Sequence, residues 1–195
     1  MKRNKEETNE TRSKLLVVGR KHFTERGYTG ATLEEIVSEA QLTRGALYHH
    51  FGNKKGLFQA ILEAIQSEIG QRVESEASLS TDPWEQLMLG CRAFVTAAVE
   101  PRNRRILLID GPAVLGWEDW RRMDEEHSMQ HLREQLEIMK RHGHLKPIPI
   151  EAMTHFLSGA LNESVLWIAQ SSDDQSLEET MSVITYFLQA CRPDH

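Results

Sequence analysis

Hydroxyl, guanidinium, phenol, imidazole and ammonium groups are concentrated in one short segment of the chain, TRGALYHHFGNKKGLF, at positions 43–58. The segment is too polar to be buried throughout, and no catalytic spacing fits it. Hydroxyl, phenol, imidazole and ammonium groups suit phosphate oxygens, and an arginine suits the O6/N7 edge of guanine. The segment therefore predicts a surface that binds a nucleic acid.

A second chemical signal is the sequence HSMQH, which places His127 and His131 four residues apart on a predicted helix. That spacing can hold a metal ion. Three further histidines are candidates for additional ligands: His142, His144 and His155. HExxH enzymes, however, carry glutamate directly after the first histidine, where this chain has Ser128.

No CxxC, GxSxG, P-loop or GxGxxG motif is present. We therefore expect no metal, no cofactor and no enzymatic activity. Two alternatives stay open: a metal-sensing regulator that uses His127 and His131, and a small metal-dependent enzyme.

The charge of the chain is divided unevenly along its length. Residues 1–55 contain 11 Lys and Arg against 7 Asp and Glu, a net charge of +4, so the remainder carries −10 of the total of −6. A division of this kind indicates a basic binding region attached to an acidic body, although counts this small also fit a chance fluctuation.

Two further features indicate a cytoplasmic protein. No apolar run reaches the roughly 18 residues of a membrane span, and LLVV is too short for a signal-peptide core. Cys91 and Cys191 lie far apart in apolar helical contexts, so we expect two buried thiols, as in a reducing compartment.

Nearly all of the chain has helical periodicity, which predicts an all-α protein of about nine helices. TLEE at Thr32 is a capping box, Thr43 can cap a short helix through Phe51, and Asn53 can cap a long helix that runs towards Glu76. Later helices are predicted at about 84–99, 104–114, 117–141, 150–169 and 177–191. Gly111 and Pro112 should bend or interrupt the 104–114 helix.

Two short helices joined by a tight turn, after a supporting helix, form the helix-turn-helix pattern, whose second helix enters the DNA major groove. Leu47 and Phe51 should face inward. The residues that should point outward are Arg44, Gly45, Ala46, Tyr48 and His49. Lys54 lies just inside the next helix, where free N–H groups and the helix dipole already favour an anion.

The span from about Leu15 to Phe58 resembles the N-terminal domain of the tetracycline-repressor (TetR) family of bacterial regulators. The resemblance rests on the order and spacing of Phe23, Gly27, Thr32, Ile36, Ala40, Gly45, Leu47, Tyr48, Phe51, Lys54 and Leu57. The chain departs from the family pattern at two positions. Gln41 stands where a turn glycine is usual, and Lys55 where an acidic residue is common; each should cost a few tenths to about 1 kcal/mol.

The resemblance implies a role for each matching residue. Tyr48 and Lys54 would contact phosphates, and Thr32 would anchor the preceding helix at the DNA backbone. The groove or phosphate contacts would be Thr43, Arg44, Ala46 and His49. Gly45 and His50 complete the predicted DNA-binding set, although His50 could instead turn towards the core and bond to the scaffold.

Beyond Glu76 the resemblance is weaker, and RRILLIDGPAVLGWEDWRRMDEEH looks like a C-terminal variety of the same family. It implies a helix-turn-helix domain at residues 1–56 and a ligand-binding and dimerisation domain at residues 57–195. The predicted function is a ligand-responsive regulator, a repressor that binds a pseudo-palindromic operator as a homodimer and leaves it when a small organic inducer binds.

The predicted dimer interface is the last two helices, where Gly159 and Ala160 would permit close approach. The predicted inducer contacts are Phe94, Trp117, Trp120, Met123, His127, Asn162 and Trp167, with ordinary core packing as the alternative for each.

Overall fold

The computed structural model describes residues 2–171 and 175–193, with backbone only for residues 2–6 and 128. Within these ranges the protein is helical and has no strand, which confirms the predicted all-α fold. The first helices are α1 (Lys2–Gly30), α2 (Leu33–Glu39), α3 (Arg44–Phe51) and α4 (Lys54–Ala77). The later ones are α5 (Pro83–Val99), α6 (Pro101–Arg104), α7 (Gly111–Leu115), α8 (Trp117–Glu126), α9 (Ser128–Arg141), α10 (Ile150–Ile168) and α11 (Ser176–Gln189).

Side-chain caps fix the starts of the three helices that follow α1, as predicted. The Thr32 and Thr43 hydroxyl oxygens each accept the backbone N–H three residues on, at 3.3 and 3.1 Å, and the Asn53 amide oxygen does the same at 2.9 Å. Each bond satisfies an N–H group that has no partner within the first turn of a helix.

Helix α1 is interrupted at Gly27, whose φ of 72° and ψ of 174° are not helical. A side chain at this position would overlap the Arg105 guanidinium. The next residue, Tyr28, donates its backbone N–H to the Asp110 carboxylate at 2.9 Å. Gly27 is thus a break in α1, and the Tyr28 bond places segment 105–110 against the end of this helix.

The predicted helix at 104–114 is divided into three pieces. Between α6 and α7, Arg105–Asp110 forms a π-helical segment, and α7 begins at Gly111. Pro112 has no N–H to continue an α-helical ladder, which is a sufficient reason for the change of hydrogen-bond pattern here.

The prediction of one continuous helix over 117–141 is wrong. Helix α8 ends at Glu126 and α9 begins at Ser128, with His127 (φ −119°, ψ −79°) between them. No side-chain hydrogen bond from His127 caps α9, so this start differs from the capped starts of α2, α3 and α4.

The chain forms two compact units. One contains the residues up to Ile65 together with Pro101–Arg121, and the other contains Gln66–Glu100 with the residues from Arg122 onward. In the first unit α1 packs against α2 and α3, with Leu15, Phe23 and Leu47 fully buried. In the second, α10 packs against α5, α9 and α11.

These two units are defined by how the residues pack. The predicted boundary between residues 56 and 57 instead separates a DNA-binding domain from a ligand-binding domain, and it stays a prediction.

Among the described residues, no helix is both long enough and apolar enough to cross a membrane.

Candidate functional site: a DNA-binding surface and a cavity

The short helix α3 is held at both ends and along one face. Thr43 caps its start, and Gly52, with φ 74°, ends it by donating its N–H to the Tyr48 carbonyl. Leu47 is fully buried and fixes the rotation of the helix about its axis. The opposite face is therefore presented to solvent in a single orientation.

We call the side chains on this face, with those that flank it, the recognition surface. Its exposed members are Thr32, Thr43, Arg44, Gly45, Tyr48 and His49, and its half-buried members are Ala46, His50 and Lys54. All nine residues predicted to bind DNA thus keep at least part of their surface accessible. Their contacts with DNA stay a prediction.

Arg44 is held by two neighbouring side chains. Its Nη1 lies 2.5 Å from a Glu34 carboxylate oxygen on α2, and its Nη2 donates to the Tyr48 hydroxyl at 3.2 Å. The Tyr48 bond and the Glu34 charge raise the pKa of the Arg44 guanidinium. Arg44 therefore stays charged, but it has to leave Glu34 before it can bind a base or a phosphate.

Lys54, in the first turn of α4, lies over an aromatic ring. Its Nζ is 4.6 Å from the centroid of Tyr28, and partial burial lowers the pKa of this lysine. The Tyr28 ring is itself packed against Phe23 and Phe58, with centroids 5.8 and 5.2 Å away. This packing fixes the position of Tyr28 and, through it, favours one position of the Lys54 ammonium.

The two histidines of α3 differ in their surroundings. His49 is exposed, whereas His50 is half-buried, and its ring centroid lies 6.0 Å from that of Phe51. Burial, followed by the nearby His49 and Arg12, lowers the pKa of His50. His50 thus faces the scaffold more than His49 does, which favours its alternative interpretation as a scaffold residue.

The turn between α2 and α3 contains the one non-glycine residue with positive φ in the described chain, Gln41 at 55°. Its left-handed backbone is the conformation that glycine adopts most easily. Gln41, the departure from the family pattern, is therefore held in a strained backbone conformation.

A cavity of about 270 Å³ lies in the second unit, between the end of α4 and helices α5, α9 and α10. Its wall is mostly apolar. The lining includes Val73, Leu87, Gly90, Cys91, Phe94, Met129, Leu132 and Leu161, with His131 and Ser158 among the polar groups. Burial raises the pKa of the Cys91 thiol to about 12, so this sulfur behaves as a small apolar group.

Only one of the seven residues predicted to contact an inducer lines this cavity, namely Phe94. In the first unit, Trp120 is buried and donates its Nε1–H to the Leu107 carbonyl at 2.7 Å, while Trp117 is 65% exposed. Trp120 therefore serves the fold, and neither indole is part of the cavity wall.

The other four predicted contacts lie in the second unit. Met123 is buried, His127 stands at the break between α8 and α9, and the buried Asn162 Oδ1 has no hydrogen-bond partner in the described chain. Trp167 is 48% exposed on α10. None of these four residues lines the cavity. Their contacts with a ligand stay a prediction.

Sequence reasoning missed the lining from the end of α4 and from α9. The available signal was small residues inside helices: Gly90 lines the cavity, and a Cβ on Gly70 would lie 3.2 Å from the His131 ring. Such glycines leave room between helices.

His127 and His131 do not form a pair on one continuous helix, because the chain breaks at His127. In the described part of the chain, no three His, Cys, Asp or Glu side chains are grouped so that they could hold a metal ion. The metal-sensing and metal-enzyme alternatives are therefore not supported.

An exposed apolar face lies on the last two helices. It consists of Phe156 and Trp167 from α10 with Val183, Tyr186 and Phe187 from α11, each at least 48% exposed. The rings of Phe156 and Phe187 are 6.1 Å apart. Large apolar side chains grouped in this way are typical of a surface that another protein covers.

Two family descriptions match the chain. Residues 15–61 match the description "Bacterial regulatory proteins, tetR family", and residues 84–191 match "Tetracyclin repressor-like, C-terminal domain". The first match contains α2, α3 and the start of α4, and the second contains most of the residues that line the cavity.

The chain is also similar to individual proteins. A crystal structure of a TetR-family transcriptional regulator from Pectobacterium atrosepticum has 36% identity and a TM-score of 0.79, over 96% of this chain and 97% of that one. The HTH-type transcriptional regulators AcrR of Shigella flexneri and TtgR of Pseudomonas putida are each 34% identical, over 55% and 54% of this chain. The chain spans about half the length of these curated relatives, 50% and 51%.

Proposed function

Because the chain belongs to the tetracycline-repressor family of bacterial regulatory proteins, we propose that it represses transcription by binding an operator and releases it when a small organic molecule binds. The observation that carries this proposal is the recognition surface on α3. Its side chains match those that reach base edges and phosphates in helix-turn-helix proteins, and Leu47 and Thr43 fix their orientation.

We propose that the operator is pseudo-palindromic and that the protein binds it as a homodimer. One short recognition helix reads few base pairs, and a two-fold dimer doubles the site. The exposed apolar face of α10 and α11 is the candidate interface. Gly159 supports this choice, because it is exposed and a Cβ there would meet no atom within 4 Å.

We propose that the inducer binds in the cavity between α4, α5, α9 and α10. Helix α4 supports this role because it begins with Lys54, at the recognition surface, and its last turns line the cavity through Val73 and Ala77. An inducer releases DNA only if it binds more tightly to the conformation that cannot bind the operator.

A protein with this function acts in the cytoplasm and is associated with the nucleoid while it is bound to DNA.

The test of this function is a genome-wide pull-down of DNA bound to the protein in its host. The expected result is a small number of enriched sites that share an imperfect inverted repeat, with half-sites about one helical turn apart or a multiple of it. Enrichment that follows no shared sequence would contradict a specific operator. The genes beside the sites would then guide the choice of compounds for release experiments.

A further inference from the structure

The polar groups that line the proposed inducer cavity carry negative charge but no permanent positive charge. Glu74 from α4 and Glu134 from α9 are among the lining residues, and none of those lining residues is a lysine or arginine. Both carboxylates are exposed, whereas Cys91 and Met129 are deeply buried. The charges therefore lie on the solvent side of the cavity, and the apolar wall lies at depth.

The arginines on the helix segments around the cavity are held in ion pairs. The pairs are Arg72 with Glu100 at 2.9 Å, Arg92 with Glu178 at 2.6 Å and Arg133 with Glu151 at 3.1 Å. The cations at the end of α9, Lys140 and Arg141, are exposed and do not line the cavity. An anionic ligand would have to compete for one of the paired arginines while lying beside two carboxylates, and like charges at short range repel.

The polar side chains of the wall differ in whether they can form a hydrogen bond with a ligand. The Ser158 hydroxyl donates to the Asp124 carboxylate at 3.4 Å, and the amides of Gln86 and Gln135 bond to each other at 3.1 Å. Within the described chain His131 makes no hydrogen bond, and its ring fits beside Gly70 because that residue has no side chain. A ligand that donates a hydrogen bond suits a ring nitrogen of His131 and the carboxylate oxygens of Glu74 and Glu134.

From these observations we infer the chemical class of the ligand: a mainly apolar or aromatic molecule, neutral or cationic, with a hydrogen-bond donor such as a hydroxyl or a protonated amine. Carboxylic acids and phosphate esters are excluded from this class. The inference rests on the proposed function of the cavity as the inducer site, and it adds the charge of the molecule that the cavity accepts.

Three compounds with the same naphthalene body and different ends test this class: 1-naphthylmethylamine, 1-naphthylmethanol and 1-naphthoate. The two-ring body matches the size of the cavity, since about 150 Å³ already accommodates benzene and this cavity has about 270 Å³. Calorimetric titration of the full chain at pH 7 should give the tightest binding for the amine. The alcohol should follow, and the carboxylate should bind at least about tenfold more weakly than the amine. Tightest binding by the carboxylate, or no binding by any of the three, would overturn the inference.

A double variant, Glu74→Gln with Glu134→Gln, identifies the source of the preference. It should bring the affinities of the amine and the alcohol to within about threefold of each other, because the carboxylates supply the attraction for the cation. The matched control is Glu137→Gln, which removes an exposed charge from the same helix, α9, outside the cavity wall. An amine preference that survives the double variant, or that Glu137→Gln abolishes equally, would contradict the assignment.

Operator release by the same three compounds, measured by fluorescence anisotropy with a labelled operator, separates this inference from the proposed function. Binding in the predicted order without release of DNA by any compound would confirm the ligand class and contradict the role of the cavity in induction. Release of DNA by the carboxylate at the lowest concentration, with calorimetric binding to match, would confirm that role and overturn the ligand class.

Discussion

At the scale of single residues, the recognition surface is restrained by contacts within the protein. Arg44 is paired with Glu34, and Lys54 is placed over the Tyr28 ring. The chemistry of this surface was predictable from the sequence, because hydroxyl, guanidinium and ammonium groups clustered on one short helix suit phosphates and base edges. The contacts that hold Arg44 and Lys54 were not predictable, because Glu34 is ten positions from Arg44 and Tyr28 is 26 positions from Lys54. Such contacts depend on how the helices pack.

Removal of the Glu34 charge should strengthen operator binding. The carboxylate competes with DNA for Arg44 and repels phosphates, so Glu34→Gln should lower the Kd a few-fold at low salt, in line with the modest strength of exposed ion pairs. Fluorescence anisotropy with a labelled operator measures the change. Glu25→Gln removes another exposed charge of the same unit, and an equal gain there would show that net charge alone is responsible.

Relief of the positive φ at Gln41 should stabilise the fold. A left-handed non-glycine residue costs roughly 1–2 kcal/mol, and the extra freedom of glycine in the unfolded chain costs roughly 0.5–1 kcal/mol. Gln41→Gly should therefore raise the free energy of unfolding by about 0.5–1 kcal/mol in urea titration. Gln41→Ala keeps the strain and should give no gain. Equal gains from both substitutions would show that the glutamine side chain is the cause.

At the scale of helices and turns, a helix start that has a side-chain cap was predictable from the sequence. A break between helices that has no cap was not. Thr32, Thr43 and Asn53 each accept a backbone N–H bond and fix the three helices after α1. The break at His127 has no such bond. The cavity was not predictable in detail because its wall is assembled from four helices distant in sequence, and periodicity does not reveal which faces of these helices meet.

The junction of α3 and α4 depends on Gly56. A Cβ there would overlap the Phe51 carbonyl oxygen, so Gly56→Ala has to push the two helices apart. We expect a loss of roughly 1–3 kcal/mol in the free energy of unfolding, together with weaker operator binding because α3 is displaced. Urea titration and anisotropy measure the two effects.

The matched control for this junction is Gly45→Ala. Its Cβ would lie 3.7 Å from the Thr43 hydroxyl oxygen, an ordinary contact, and alanine favours the helix over glycine. Stability should be kept or increased in this variant. A similar loss in both variants would mean that helix α3 tolerates no added methyl group, and the junction would have no special role.

At the scale of the whole molecule, the recognition surface belongs to the first compact unit, and the cavity and the exposed apolar face belong to the second. The family matches cover both parts, residues 15–61 and 84–191. The all-helical class and the helix-turn-helix were predictable from periodicity and caps. The assembly of two copies is a proposal that rests on Phe156, Trp167 and the side chains around them.

Blocking the face of α10 and α11 should produce monomers. Gly159→Trp places a large side chain at an exposed position where a Cβ meets nothing within 4 Å, so the monomer should still fold. Sedimentation velocity should show a shift from dimer to monomer with unchanged helical circular dichroism. Glu118→Trp, an exposed substitution on α8, should leave the dimer intact. A dimer that persists with Gly159→Trp would place the interface elsewhere.

The central claim is that the recognition surface binds DNA through one sequence-reading residue and one phosphate-binding residue. Its most direct measurement is the affinity of the wild type, Lys54→Ala and Arg44→Ala for the operator and for an unrelated duplex across a series of salt concentrations. Lys54→Ala should weaken both complexes similarly and reduce the slope of log K against log salt by about one. Arg44→Ala should lose roughly 1–3 kcal/mol of discrimination at one base pair. Unchanged operator affinity and an unchanged salt slope in both variants would contradict the account.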